Sequence, residues 1–547
     1  MRECTPTAAA AAIMAAHERT KHLPGRYAPG PGHLDWASQP YPFRRYEGAP
    51  RVSLDRTSDD PGPTYDSLFA CSPSGVPSPS RALLSRLLLD SLAITAWKRA
   101  PSGDTWALRA NPSSGNLHPT EAYLLIGSVD GIADEPALWH YRPLDHALEQ
   151  LCVATDAWRE ISAQLPEGAL LVLLTSIPWR EAWKYGERAL RYCQHDVGHA
   201  IGALAFAAAA SGLHTQVANS VASSDLDAIA FGSEPPTGPE AEHADVLLVV
   251  SPASLPPVSP DWRPAPSAVE RLRRAPRAGI PNRLSPEHRD WPLIERTMAA
   301  WRTPEGITAE PLSSPNLRAP DGPDRGVPAS ALFRRRRSAV AMDGVTSMPH
   351  VAFARLLGRL RADRWPAGVL GAPAHVALAF FVHRVEGLAP GLYLLPRHES
   401  QRSELVSAIG TEFEWEPADG AAGVAGLLRL AHGDVRDVAA AVSCGQDIAS
   451  EGAFAVAMLA RCGPVVRSRP WMYPRLYWEC GLIGQILYLE AEAAGLRGTG
   501  IGCYFDDLVH RLLGIQDDAW QSLYHFTVGG PVHDPRLQTL PPYRDDV

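Results

Sequence analysis

The chain has 547 residues, 45% of them apolar and 20% charged, with a formal net charge of −9. That length exceeds a single hydrophobic core and asks for two domains of roughly 200 residues each. The ordinary apolar content excludes wholesale disorder, and the mild acidic balance offers no footprint for nucleic acid as a main partner.

The apolar run Ala8–Ala16 leads directly into His17-Glu18-Arg19-Thr20-Lys21-His22 and reads as the start of an amphipathic helix, not as a signal peptide. No run reaches the roughly 18 apolar residues that span a bilayer, so a soluble protein with no membrane partner is expected. The eight cysteines include no Cys-x-x-Cys pair, which speaks against a zinc ribbon or thioredoxin-type site and fits a cytoplasmic location. Residues 1–80 are rich in Pro and Gly and read as an extension over the surface. A first domain, 81–250, opens with a leucine-rich helix, Leu83–Ala96, and passes a polar turn into the strand Ala122–Ile126. A strand Ala169–Thr175, a long helical segment Glu181–Ser211 and a buried strand Asp245–Val250 complete it. Residues 251–330, with Pro every few positions, form a linker carrying short helices. A second domain, 331–547, begins near Phe333 and offers a strand His375–Val382, the run Gly391–Leu395, a helix near Ala439–Arg461 and a closing strand Tyr524–Val528.

The second domain repeats the first. Asp196-Val197-Gly198-His199, running to Gly212-Leu213, is echoed by Glu479-Cys480-Gly481-Leu482, running to Gly495-Leu496. In each copy the two glycines stand fourteen positions apart, and a long helix stops at Gly-Leu. The repeated order implies duplication.

Three strings carry chemistry. Pro112-Ser113-Ser114-Gly115-Asn116, before the first strand, sets small hydroxyls, an amide and a permissive Gly in a turn that can face a ligand. Arg336-Arg337-Ser338 joins guanidinium forks to a hydroxyl, a combination suited to a phosphate. Gly498-Thr499-Gly500-Ile501-Gly502 follows the second Gly-Leu helix end and allows close backbone approach. His195 and His199 share a helix face with Asp196 between them, but the Glu of His-Glu-x-x-His and a third ligand are missing, so no metal site is assigned.

On these strings the chain resembles the nitroreductase superfamily of flavin enzymes, and within it the branch that dehydrogenates azolines in thiazole- and oxazole-modified peptides. The resemblance implies an α+β fold: two tandem nitroreductase-like domains, each a mainly antiparallel sheet flanked by helices, pairing as an intramolecular pseudo-dimer. It implies FMN as cofactor at the interface. Arg336, Arg337 and Ser338 would grip the phosphate and ribityl chain, with Arg536 as a late basic residue beside them. Pro112, Ser113, Ser114, Gly115 and Asn116 would come from the opposite copy, while Gly500, Ile501 and Gly502 would bring a backbone N–H toward flavin N5. Lys184 and Tyr185 resemble the Lys-Tyr pair assigned catalytic roles in azoline dehydrogenases.

The two halves complement each other. The first keeps the Ser-Ser-Gly-Asn loop but has only Ser80-Arg81 where Arg-Arg-Ser would stand. The second keeps Arg-Arg-Ser and the glycines but has no such loop before His375, and Met472-Tyr473 replaces Lys-Tyr. One complete site and one degenerate site are expected, hence one FMN per chain. The functions to weigh are an azoline dehydrogenase working beside a cyclodehydratase, an NAD(P)H-dependent nitro, quinone or ene reductase, and a non-catalytic flavin-binding or scaffold protein.

Overall fold

The computed structural model describes residues 6–56, 61–70, 77–310, 321–418 and 426–543. Two seven-stranded antiparallel sheets dominate it, and their strand orders correspond one to one. In the first, the order from edge to edge is Arg51–Ser53, Ala147–Val153, Ala137–Arg142, Thr120–Ile126, Leu170–Ser176, His243–Pro252 and Leu213–Val217. In the second it is Glu416–Pro417, Leu428–His432, Gly391–Leu395, Val376–Val382, Phe454–Arg461, Trp520–Gly529 and Arg497–Ile501. The duplication read from the glycines is therefore a duplication of topology. Only the edge strands break it: Arg51–Ser53 comes from the N-terminal extension, whereas Glu416–Pro417 comes from within the second half.

The strands are apolar on both faces because both faces are covered. Along Leu170–Ser176, Val172 and Leu174 turn into a core shared by the two halves, while Leu171 and Leu173 face an outer cluster with Ile229 and Leu272. The second sheet behaves alike, sending Phe380 and Val456 inward and Phe381 and Leu459 outward. Between the sheets lie the helices Ala189–Ala210 and Tyr473–Ala493, the first buried along its whole length. They cross where Gly198 meets Gly481. A Cβ on Gly198 would stand 2.7 Å from Trp478 Cα and 2.9 Å from Gly481 Cα, so backbone packs directly on backbone.

The ends of the chain tie the halves further. The strand Gln538–Leu540 pairs with Ile94–Arg99, completing a three-stranded sheet with Thr105–Arg109. The helix Pro6–Arg19 buries Ile13 and His17, and His17 bonds Tyr473 Oη (3.1 Å) and Gln521 Oε1 (3.2 Å). No helix among the described residues is long and apolar enough to cross a membrane.

Three expected elements differ. The helix at Leu83 stops at Ser91, and Ile94–Arg99 is a strand, because the β-prone Ile-Thr-Ala-Trp finds a partner in Thr105–Arg109. The helical segment from Glu181 breaks in two, Pro178–Tyr185 and Ala189–Ala210, across Gly186 at φ +56°, where Pro29 and Trp291 leave no room for a side chain. The region Ala439–Arg461 holds a short helix, Arg436–Val442, a turn through Cys444 and Gly445 at positive φ, and then the strand Phe454–Arg461. Alanine favours a helix there, but the slot between Val376–Val382 and Trp520–Gly529 decides for a strand.

Candidate active site

Between the halves lies a cavity of about 760 Å³, a size that suits a cofactor or drug-sized ligand. Its wall from the first half is the turn before Thr120–Ile126. Gly115, Asn116 and His118 all take positive φ there, which Gly and Asn tolerate best. Gly115 is needed for a second reason: a Cβ on it would stand 2.5 Å from Tyr185 Oη. The turn is pinned by Asp196, whose carboxylate accepts from Ser114 N and Ser114 Oγ, both at 3.1 Å. Ser113 Oγ accepts from His118 N at 2.8 Å. The Asn116 amide is committed within the loop, donating to Ala107 O (2.7 Å) and meeting His118 Nε2 (3.1 Å).

The second half supplies the opposite wall. Arg336, buried, donates from Nε to Ala110 O (3.0 Å) and from Nη2 to Arg109 O (2.9 Å), so it holds the first-half turn directly. Ser338 Oγ lies 2.8 Å from Tyr488 Oη, which also accepts from Gly500 N at 3.0 Å. Gly500 and Gly502 have no room for side chains, since Cβ atoms there would stand 2.8 Å from Tyr524 Cζ and 3.0 Å from Tyr192 Cζ.

One end of the cavity is strongly cationic. Lys98, from the first-half hairpin, joins Arg336, Arg337 and Arg497 in its lining. Burial, with Arg336 and Arg497 nearby, pulls Arg337 down to about 10. Burial and the same crowding from Arg337 and Arg497 lower Lys98. Glu492, bonded to Arg335 at 3.1 Å and Arg497 at 3.3 Å, offsets only part of this charge. A dianionic phosphate at this end would relieve the repulsion and supply acceptors for the forks.

Of the residues singled out in the sequence, Pro112, Ser113, Ser114, Gly115, Asn116, Tyr185, Arg336, Arg337, Ser338, Gly500, Ile501 and Gly502 all line this one cavity. Lys184 is not in the lining; its Nζ lies 5.2 Å from the centre of the Tyr185 ring. Arg536 is not in the lining either: its side chain is 77% exposed and paired with Asp534 at 2.8 Å, while Asp534, Leu537 and Thr539 of the same tail do line the cavity. Arg497 and Lys98, which were not singled out, do line it. Asp196, Tyr488, Tyr192 and Cys503 also belong to the wall and were not foreseen as such. His195 Nε2 bonds Leu523 O (2.9 Å), His199 Nε2 bonds Tyr524 Oη (3.1 Å), and no group of metal-ligating residues occurs among the described residues.

The pseudo-symmetric position is closed, retaining about 30 Å³. Arg475 donates to Asn219 Oδ1 (2.9 Å) and O (3.1 Å), and Asn219 Nδ2 donates to Leu370 O (2.7 Å). Glu479, two positions before its crossing glycine as Asp196 is, accepts from His375 N at 2.9 Å. The counterpart of the pinned turn is thus held in the same way, but arginine and asparagine fill the space over it.

Burial lifts Asp196 to about 7 even though Ser113 and Ser114 favour its charged form. An unfolded Asp titrates near 4, so the folded protein binds this proton more tightly. That stabilisation is complete below about pH 4 and is lost as pH rises through about 7. Asp196→Asn is therefore expected to gain stability relative to wild type between pH 5 and pH 8, by up to about 3 kcal/mol, read from urea midpoints at the two pH values. A difference independent of pH would refute the assignment.

Residues 79–233 match the family model described as Nitroreductase family. No curated relative matches the sequence. Among solved structures, a protein from Anabaena variabilis assigned as a nitroreductase superposes with TM-score 0.68 at 20% identity, covering 95% of this chain and 99% of its own. A Ralstonia eutropha protein so assigned matches at TM-score 0.27 and 17% identity, over 42% of this chain and 97% of its own. A chain of the E. coli microcin synthetase McbBCD complex with truncated pro-MccB17 matches at TM-score 0.24 and 16% identity, over 44% and 92%. The chain thus has the nitroreductase fold, built twice, and the stretch that matches the family model lies in its first half.

Proposed function

We propose that the chain is an FMN-dependent oxidoreductase, and that it dehydrogenates an azoline-type ring in a modified peptide or related metabolite. The observation that carries the reading is the composite cavity, with a cationic end made by Arg336, Arg337, Arg497 and Lys98 and a tyrosine, Tyr185, at the opposing turn. The residues fit the cofactor: the cationic end lacks a full complement of anions, and the glycines of Gly498–Gly502 leave a flat backbone face. Arg336, Arg337, Ser338, Arg497 and Lys98 would hold the phosphate, and Ser113–Gly115 would lie over the ring system. FMN bound there would supply a two-electron acceptor for a hydride.

The chain's own task is then the proton. Desaturating an azoline removes a hydride from one ring atom and a proton from its neighbour. Tyr185 Oη faces the cavity beside Gly115, and the Lys184 ammonium sits over its ring. In this reading Tyr185 handles that proton and Lys184 positions it. The substrate would come from a cyclodehydratase, the reaction class that makes azolines.

The protein is expected to take up about one FMN per chain, since the second position is plugged. Tyr185→Phe should keep the flavin spectrum while lowering turnover of a thiazoline peptide by about 10²-fold or more. Undiminished turnover would remove Tyr185 from the chemistry. Rapid bleaching of the flavin by NADPH would favour a nitro, quinone or ene reductase instead.

A further inference from the structure

Cys503 lies in the wall of the cavity, one residue beyond Gly502, and its neighbour across the wall is Cys444. Both are free thiols and both are partly exposed, unlike Cys152, Cys193, Cys462 and Cys480, which are buried. Two backbone contacts hold their segments together: Phe505 N donates to Val442 O (2.8 Å), and Gln446 Nε2 donates to Cys503 O (2.7 Å). These contacts set the two thiols side by side, close enough for each to shift the other's protonation. Cys444 has φ +59°, a left-handed conformation rare for cysteine and imposed by the turn that brings it here.

A third group completes the cluster. Ala28 N donates to His22 Nδ1 at 2.9 Å, so in the neutral ring the proton sits on Nε2, and the ring stands near enough to Cys503 to favour its thiolate. Arg188 donates to Gly502 O at 3.0 Å and adds positive charge. We infer that Cys503, in the cavity wall, and Cys444, beside it but outside the lining, form a redox-active dithiol, a thiol–disulfide exchange site that takes a small or peptide-borne disulfide entering the cavity.

The roles of the two sulfurs differ. Hydrogen bonding from Cys444, then from His22, with the charge of Arg188, holds Cys503 down to about 5 against the cost of its burial. Cys444 is held up, first by Cys503 and then by burial. Tyr27 and Asp506 are the other titratable groups facing the pair. Cys503 is therefore the attacking thiolate and Cys444 the resolving thiol. In the first step Cys503 Sγ attacks one sulfur of the incoming disulfide; its S–S bond breaks, one half leaves as a thiolate, and a mixed disulfide forms. Cys444 then gives up its proton, its Sγ attacks Cys503 Sγ, and the second half leaves as a thiol. Two protein thiols are oxidised to one disulfide, and one disulfide is reduced to two thiols.

Oxidised glutathione is the probe, and the full chain is mapped by peptide mass spectrometry so that the remaining cysteines are accounted for. Wild type should yield a Cys444–Cys503 linked peptide that dithiothreitol reverses. Cys444→Ser should instead accumulate a glutathione adduct on Cys503. His22 and Arg188 still favour the thiolate in this variant, so that reaction should slow by less than about tenfold from pH 8 to pH 6, where an ordinary thiol slows by about a hundredfold. Cys503→Ser should leave Cys444 unmodified over the same time. Both thiols remaining free in folded wild type, or Cys444 reacting as readily once Cys503 is gone, would overturn the inference. Neither readout depends on flavin, so this result stands apart from the oxidoreductase reading.

Discussion

Arg336→Ala is expected to weaken FMN binding by at least about a hundredfold and to lower stability in the same variant. The guanidinium is buried, lies 5.0 Å from the centre of the Tyr488 ring, and donates to the carbonyls of Ala110 and Arg109. Truncation leaves those two acceptors without their partner inside the interface, at about 1–3 kcal/mol each. It also removes one fork from the cationic end, where a charged hydrogen bond to phosphate contributes about 1.5–3 kcal/mol. Isothermal titration with FMN and with riboflavin separates the two effects. A phosphate role costs FMN much more than riboflavin, whereas a purely loop-holding role weakens both alike. Unchanged FMN affinity in a folded Arg336→Ala protein would remove this arginine from the site.

The same arginine ties the two halves together at the cavity. It belongs to the second half but its hydrogen bonds end on the first, so the turn at Pro112–Asn116 is shaped by a residue more than two hundred positions away. Where the first half would need a matching arginine, the sequence has Ser80-Arg81. Arg81 is spent on Asp55 at 3.0 Å. The opposite position then carries its own filler, Arg475 on Asn219, and keeps the backbone pin from Glu479 without the space.

Contiguous strings were the legible part. Pro112–Asn116, Arg336–Ser338 and Gly500–Gly502 each carry their composition within a few residues, and the structure gathers them round one cavity. The paired glycines revealed the duplication because helix crossing and helix termination both depend on local residue type. Lys98 and Arg497 were not legible. Lys98 reaches the cavity only because a hairpin forms at Ile94–Arg109 and is held by a strand from the far end of the chain. Arg536 follows Gly529-Gly530 into a tail that borders the cavity, but its own side chain points to Asp534 and solvent. The Ala-rich strand Phe454–Arg461 failed for a related reason: its propensity is helical, and the sheet on both sides outweighs it. Cys444 and Cys503 were scattered in sequence and meet only through a turn.

Gly198→Val is expected to be strongly destabilising, by about 3 kcal/mol or more. The helices Ala189–Ala210 and Tyr473–Ala493 touch at two glycines, and what surrounds each is backbone. A Cβ on Gly198 meets the carbonyl oxygen and Cα of Trp478, and one on Gly481 stands 2.8 Å from both Gly198 Cα and His199 N. A flexible side chain could swing aside, but a helix backbone in a close-packed core can yield only if the whole crossing opens. Opening it would separate Asp196, two residues before Gly198, from the wall that carries Tyr488, Tyr524 and Gly500. Loss of stability and loss of flavin uptake should therefore move together in Gly198→Val, and more mildly in Gly198→Ala, followed by thermal unfolding with and without FMN. Gly202→Ala is the internal comparison. Its Cβ would meet Gln485 Cβ at 2.9 Å and Gln485 Cγ and Leu482 Cδ1 at 3.0 Å; the last two can rotate away and no backbone atom stands closer, so a smaller loss is expected. Equal losses at the two positions would mean that the crossing tolerates displacement and that the halves are not held by glycine contact.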